Sequence, residues 1–264
     1  MGEFHAHLPV VEELATAPST NAVVMERLSS LGAGSTVFTM NQTAGRGRLD
    51  RSWNTVAGET LAMSILLNAL PTGVPSTWIP LLAGVCVKNA VRDLGVLGLS
   101  LKWPNDVTVG GKKLSGVLVE ATNDSRFVVG IGINVYSTPE SLPDAGATSL
   151  HIEGVWVENV RVQLVEPLAS ALGELLDASV GRDPADTVAL WHTMVRHSLD
   201  TVGRTVVVQS SDGTSVTGVA TGLARDGGLT VALGGSGSGS SAGSGDVGDL
   251  RTIHSGDVFH IARS

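Results

Sequence analysis

The sequence predicts an α+β fold: a mixed, largely antiparallel sheet with helices packed to one side, followed by a small all-β barrel. Three observations carry this. Over the first 136 residues strands outnumber helices and are mostly joined by hairpin-type turns. Two helical runs then follow, roughly Val157–Ala178 and Pro184–His197. From Thr201 onward, short β-branched runs alternate with turn signals. The expected units are residues 1–199 and 200–264.

Taken in order, residues 16–35 hold the first helix signal. Ser19 and Thr20 are N-cap types, Val23, Val24, Arg27 and Leu28 follow at helical spacing, and Gly32 and Gly34 stop it. A strand over 36–42 comes next. Glu59 to Asn68 reads as a strongly apolar strand, broken by Pro71 and Pro75. Ser76 or Thr77 then caps a helix to about Leu94, with Trp78, Leu81, Leu82, Val85 and Val91 on its buried face. Leu99 to Trp103 is a short strand stopped by Pro104. Asp106 to Leu114 has the form of a hairpin, with Gly110-Gly111 supplying a positive-φ turn. Strands over Ser115–Thr122 and Arg126–Tyr136 complete the sheet. Asp183-Pro184 is a start signal for the second late helix.

In the barrel, strands are expected at 205–209, 215–221 and 229–233, with a last strand pair near 249–253 and 257–261. Ser211-Asp212-Gly213 and Arg225-Asp226-Gly227-Gly228 are the turns. Residues 234–245 are almost pure Gly and Ser and read as a flexible insertion in one hairpin.

Composition limits the function classes. A chain of 264 residues buries roughly three quarters of its unfolded surface and needs no staples. The one cysteine, Cys86, lies in an apolar helical run and reads as a core residue; a disulfide-free chain fits the cytoplasm. No apolar run is long enough to span a membrane, and the first ten residues lack a signal-peptide pattern. His5 and His7 read as part of a disordered start. The net charge of −8 argues against a DNA or RNA binder but allows a local cationic pocket.

That pocket has a candidate loop, Gln42-Thr43-Ala44-Gly45-Arg46-Gly47-Arg48-Leu49-Asp50-Arg51-Ser52-Trp53. Its glycines carry ordering entropy and its arginines repel, so it is expected to be mobile until an anion holds it, and then to act as a lid. Four other motifs accompany it: Ser19-Thr20-Asn21, Lys102-Trp103-Pro104-Asn105-Asp106, Lys112 to Glu120, and Gly130-Ile131-Gly132-Ile133-Asn134. Glycines let backbone amides approach a phosphate. Arg46, Arg48, Arg51, Lys102 and Lys113 can neutralise phosphate and carboxylate. Asp106 and Glu120 offer oxygen ligands for Mg2+. Ser19, Thr20, Asn21 and Gln42 offer neutral donors and acceptors for a polar ring. Read singly, Ser19 is a helix cap, Asn105-Asp106 a turn, and Gly130 and Gly132 sheet glycines. The Walker spacing is absent.

In this order the motifs resemble those of the biotin–protein ligases (biotin–[acetyl-CoA-carboxylase] ligases). The resemblance covers about residues 16–150 and extends loosely through the β tail. It implies a class II synthetase-like catalytic domain with a small SH3-like C-terminal barrel. It also implies a two-step reaction: biotin and Mg-ATP give biotinyl-5′-AMP, and a lysine amine of a carrier protein attacks it. By the resemblance, Ser19, Thr20, Asn21 and Gln42 bind the biotin ring. Gly45, Arg46, Gly47 and Arg48 close over biotin and the phosphates, with Arg51 and Trp53 kept from the family loop. Lys113 contacts the biotin carboxylate, and Gly116 allows close approach. Lys102, Asn105 and Asp106 serve ATP and magnesium, Asp106 as the metal ligand, and Asn134 the adenine. Implied partners are the biotin carboxyl carrier domains of acetyl- or acyl-CoA and pyruvate carboxylases. Asp50 departs from the family loop, which has glycine there. Only 18 residues precede Ser19, so the helix-turn-helix domain of the ligase–repressors is not expected. A lipoate or octanoate ligase on the same fold is the alternative. Oligomeric state, monomer or ligand-promoted dimer, is left open.

Overall fold

The computed structural model describes residues 10–49, 51–53, 55–210, 213–233 and 249–261. Asp50, His5, His7 and the Gly/Ser stretch at 234–245 lie outside the described residues.

The first sheet has seven strands: β1 (Val11–Glu13), β2 (Thr36–Thr39), β3 (Thr60–Leu67), β4 (Leu99–Lys102), β5 (Asp106–Val109), β6 (Lys112–Ala121) and β7 (Phe127–Asn134). Their spatial order is β1-β2-β3-β7-β6-β5-β4. β1 runs parallel to β2, and every other neighbour pair is antiparallel. The expected hairpin is present: β5 and β6 are joined by Gly110 and Gly111 at φ 55° and 85°, the left-handed pair that a two-residue turn needs. β1 escaped the sequence reading.

Among the described residues α1 (Thr20–Glu26) and α2 (Ile79–Asp93) pack on the sheet, and α3 (Glu166–Asp177) and α4 (Pro184–Arg196) pack on α2. The three longer ones lie on one face, as expected, and short α1 lies on the other. Alternation along β3 explains both. Leu61, Met63, Ile65 and Leu67 join the core with Leu82 of α2. Leu66 points the opposite way, into a small cluster with Val24, Val37 and Val128. Each such side chain contributes roughly 1.5–3 kcal/mol on burial. Cys86 belongs to the larger core, and burial pushes its thiol up to about 12.

Two helix starts differ from expectation. The helix signal over 16–35 yields only α1, with residues 27–30 continuing as turns. Before α2, Ser76–Trp78 forms a single 3-10 turn without a side-chain cap. The Thr77 hydroxyl instead donates to the Asp226 carbonyl, in the second sheet's territory. Asp183 does cap α4, accepting from the Ala185 amide at 2.7 Å.

The second sheet comprises β8 (Thr205–Gln209), β9 (Ser215–Leu223), β10 (Leu229–Leu233), β11 (Leu250–Ile253) and β12 (Asp257–His260), in the order β11-β10-β9-β8-β12. The last two strands do not pair with each other. β11 pairs with β10 and β12 with β8, one at each edge. β10 and β8 thereby have a paired neighbour on each side, and β11 and β12 form the edges. Gly256, at φ 143°, carries the chain across.

Two tryptophans fix this second sheet to the first. Trp78 Nε1 donates to the Arg225 carbonyl and Trp103 Nε1 to the Gly227 carbonyl, each at 3.0 Å. The Thr201 hydroxyl accepts from the Trp103 amide at 3.0 Å. Residues 198–200 cover the free edge of β4, with Leu101 donating to Ser198 at 2.7 Å and accepting from Asp200 at 2.8 Å. β12 is thereby brought to the mouth of a cavity on the α1 face of the large sheet.

Candidate active site

The described residues of the arginine segment pair as a hairpin. The Gly47 amide donates to the Arg51 carbonyl at 2.7 Å, and the Trp53 amide to the Gly45 carbonyl at 2.9 Å. Leu49 sits near its tip at φ 55°, a left-handed conformation costly for a leucine. Gly45 is sterically required, because a Cβ there would fall on the Trp53 carbonyl oxygen. Each arginine reaches a different element. Arg46 donates to Glu120 of β6 at 2.9 Å, Arg48 to Asn105 at 3.2 Å, and Arg51 to Asp257 of β12.

Beneath the hairpin lies a cavity of about 350 Å³. Its floor is a stretch of sheet stripped of side chains. Gly116 and Gly132 are cross-strand partners on β6 and β7, and Ala62 of β3 continues the row. The Trp53 indole covers them: a Cβ on Gly132 would come within 2.5 Å of Trp53 Cε2, and one on Gly116 within 3.2 Å of Cζ3. One register step away, a Cβ on Gly130 would collide with the Asn21 amide. These glycines are therefore close-approach positions. The indole Nε1 is buried and makes no hydrogen bond.

One end of the cavity is neutral and polar. Ser19 precedes α1 with extended backbone, and its side chain makes no capping bond, so the hydroxyl is free to line the cavity. Ser64 Oγ lies 2.7 Å from Thr20 Oγ1 and 2.6 Å from Asn21 Oδ1. It carries one hydrogen, and an amide oxygen can only accept, so the Thr20 hydroxyl donates in the other contact. Thr20 therefore offers lone pairs to a ligand. Gln42 Oε1 accepts from the Thr20 amide at 2.9 Å, which leaves its Nε2 as a donor. Asn21 is more committed: Nδ2 donates to Glu120 at 2.7 Å.

The other end is charged. Lys113 reaches it because the β5–β6 pairing shifts between Val107 and Thr108. This bulge sends Leu114 into the core and its neighbour Lys113 to the cavity face. Lys113 Nζ lies 2.8 Å from Asp106 Oδ1, an ion pair whose angle is poor for a hydrogen bond, and 5.3 Å from the Trp53 ring centre. Burial lowers the pKa of Arg48, while Asp257 and Asp106 oppose the shift and Arg51 adds to it. The group stays cationic at neutral pH. Asn105 anchors this end by donating to the Val117 carbonyl at 2.9 Å, and Asn134 by donating to the Thr148 carbonyl at 2.9 Å.

Thus Ser19, Thr20, Asn21, Gln42, Arg46, Gly47, Arg48, Arg51, Trp53, Asn105, Asp106, Lys113, Gly116 and Asn134 all line one cavity. Gly45 lines a second, outer cavity on the far side of the hairpin. Lys102 lines neither; its Nζ sits 6.0 Å over the Phe259 ring of β12. Glu120 borders the outer cavity and so does not share the inner one with Asp106 as a second metal carboxylate. Among the described residues no group of three His, Cys, Asp or Glu side chains is placed to hold a metal. Asp257 and Ser64 escaped the sequence reading. Asp257 lies some two hundred residues from its arginine partner, and a serine inside an apolar strand carries no local signal.

The family model described as biotin/lipoate A/B protein ligase matches residues 14–136, and that of the biotin protein ligase C-terminal domain matches residues 201–261. The biotin–[acetyl-CoA-carboxylase] ligase of Mycobacterium tuberculosis is 34% identical over 260 residues, covering 95% of this chain and 89% of that protein. The bifunctional ligase/repressor BirA of Escherichia coli is 30% identical over 175 residues, covering 63% of this chain and 53% of that protein. Among solved structures, the biotin protein ligase from Aquifex aeolicus in complex with biotin and ATP superposes with a TM-score of 0.75 at 28% identity. That match covers 97% of this chain and 100% of the other.

Proposed function

The chain belongs to the biotin protein ligase family, and from this we propose that it makes biotinyl-5′-AMP from biotin and ATP and passes the biotinyl group to a carrier-domain lysine. The observation that carries the reading is one cavity with a neutral hydrogen-bonding pole at one end and Lys113, Arg48 and Arg51 at the other. A cyclic urea needs acceptors for its N–H groups and a donor for its carbonyl. Thr20 and Gln42 supply one of each.

In the first step a biotin carboxylate oxygen attacks the α-phosphorus of ATP, and the bond to the β-phosphate oxygen breaks to release pyrophosphate. The reactants are both anions, so neutralising their repulsion dominates the barrier. Lys113 holds the carboxylate against the phosphate, and Arg48 and Arg51 take charge on the phosphate side. Trp53 and the hairpin keep water from the mixed anhydride. In the second step the neutral lysine amine attacks the acyl carbon, the carbon–oxygen bond breaks, AMP leaves, and the amine gives up its proton. The carrier supplies the nucleophile, which agrees with a buried, protonated Cys86. Magnesium supplies charge neutralisation on the phosphates when bound. Asp106, paired through Oδ1 with Lys113, would hold it through its other carboxylate oxygen, an oxygen ligand of the type Mg2+ takes. Carboxylase carrier domains are the proposed acceptors.

The test is incubation with biotin, Mg-ATP and a biotin carboxyl carrier domain, with octanoate as control, read by mass. One biotinyl group added to the carrier, and none from octanoate, is expected. Lys113→Ala should lose adenylate formation by about a hundredfold or more while keeping its circular dichroism spectrum. Octanoate transfer, or normal turnover by Lys113→Ala, would refute the assignment.

A further inference from the structure

One carboxylate beside the cavity takes no part in the steps above. Glu120 ends the Lys112–Glu120 motif on β6, and a single oxygen, Oε2, accepts from both Asn21 Nδ2 at 2.7 Å and Arg46 Nη2 at 2.9 Å. Asn21 is itself fixed from the opposite side, because its Oδ1 accepts from buried Ser64 at 2.6 Å. The chain of contacts therefore runs from β3 through the start of α1 and β6 to the arginine hairpin. Asn21 cannot rotate its amide without breaking a bond at one end or the other. Arg46 cannot leave without stripping Glu120 of its counter-charge.

We propose that Glu120 is a positioning residue that ties the ring-binding pole to the arginine hairpin, so that a filled pole and a closed hairpin support each other. The proposal rests on the biotinyl-adenylate reading. Its physical content is a shared acceptor. With Glu120 in place, ordering Asn21 against a ligand also orders Arg46, and an ordered Arg46 holds the hairpin over the adenylate. Arg46 has no other hydrogen-bond or ion-pair partner among those seen for the described residues, so Glu120 is its tether. The same carboxylate borders the second cavity, which shares Arg46 with the first.

The two arms separate in substitution. Glu120→Gln keeps an oxygen for Asn21 and loses the charge for Arg46. Its biotin KM should stay within about twofold of wild type, while the rate of biotinyl-AMP escape should rise roughly tenfold, the effect of one charge-assisted hydrogen bond. Glu120→Ala removes both arms, and both quantities should rise roughly tenfold. Adenylate is formed in the enzyme from biotin and ATP, and its escape is followed by trapping. In an Arg46→Met background, Glu120→Gln should add less than about twofold to escape. A purely structural role would move KM and escape together in both variants, or lower the melting temperature without touching escape; either overturns the proposal, as does full additivity with Arg46→Met. Failure of the wild-type chain to release pyrophosphate with biotin and ATP would instead sink the underlying reading.

Discussion

A methyl group added at Gly132 would lie within 2.5 Å of Trp53 Cε2 and 2.8 Å of its Nε1. The strand tolerates alanine, because Gly132 has no left-handed backbone, so the indole must move. Gly132→Ala is therefore expected to cut adenylate formation about tenfold or more, because a displacement of about 1 Å at a reacting centre is costly. The melting temperature should stay within a few degrees of wild type. Pyrophosphate release and thermal melting check this; a variant with normal turnover would mean that Trp53 does not set the geometry. At this scale most of the candidate site was legible. Fourteen of the residues singled out from motifs line a single cavity. Short motifs carry their own geometry, since a Ser-Thr-Asn before a helix or a glycine opposite a glycine constrains its surroundings locally. Lys102 lies apart from that cavity. It stands one residue before Trp103, but alternation on β4 and the arrival of β12 turn it toward Phe259.

Among the elements, those with a strong internal pattern were legible. β3 is an eight-residue apolar run, and Gly110-Gly111 marks its own turn. What could not be read is what depends on a distant partner. β1 is three residues long and exists because β2 offers it a parallel edge across α1. The bulge that delivers Lys113 is a matter of register between β5 and β6, and residue types alone do not set register at one position. Pairing of β11 with β10 and of β12 with β8 is likewise a matter of distant partners. The Trp103–Gly227 bond joins the elements that were hardest to foresee together. Trp103→Phe would remove a buried donor and leave the Gly227 carbonyl without it. A loss of about 1–3 kcal/mol is expected, read as a lower urea midpoint with an unchanged slope. A second transition at lower urea would show instead that the barrel unfolds by itself when this bond is lost.

For the whole molecule, the second sheet matters because β12 supplies both Asp257 to the cavity and His260 to the seam with the first sheet. His260 Nε2 lies 3.4 Å from Thr201 Oγ1, the hydroxyl that also receives the Trp103 amide. Burial lowers the pKa of His260 first; Lys102 and Arg204 lower it further, and Asp200 pulls it back up. The folded chain thus resists protonating this imidazole, while the unfolded chain titrates near 6.5. Between 6.5 and the lower folded value the unfolded state binds the extra proton, so stability falls as the pH is lowered through that window and is fully present above it. Other carboxylates and histidines also titrate in acid, so the contribution has to be isolated by difference. His260→Gln keeps a polar side chain and cannot titrate. Its urea midpoint should fall less steeply than that of wild type between about pH 6.5 and pH 5. Equal slopes would mean that the seam does not sense this proton. The steeper loss in wild type would place an acid-sensitive contact where the second sheet meets the first.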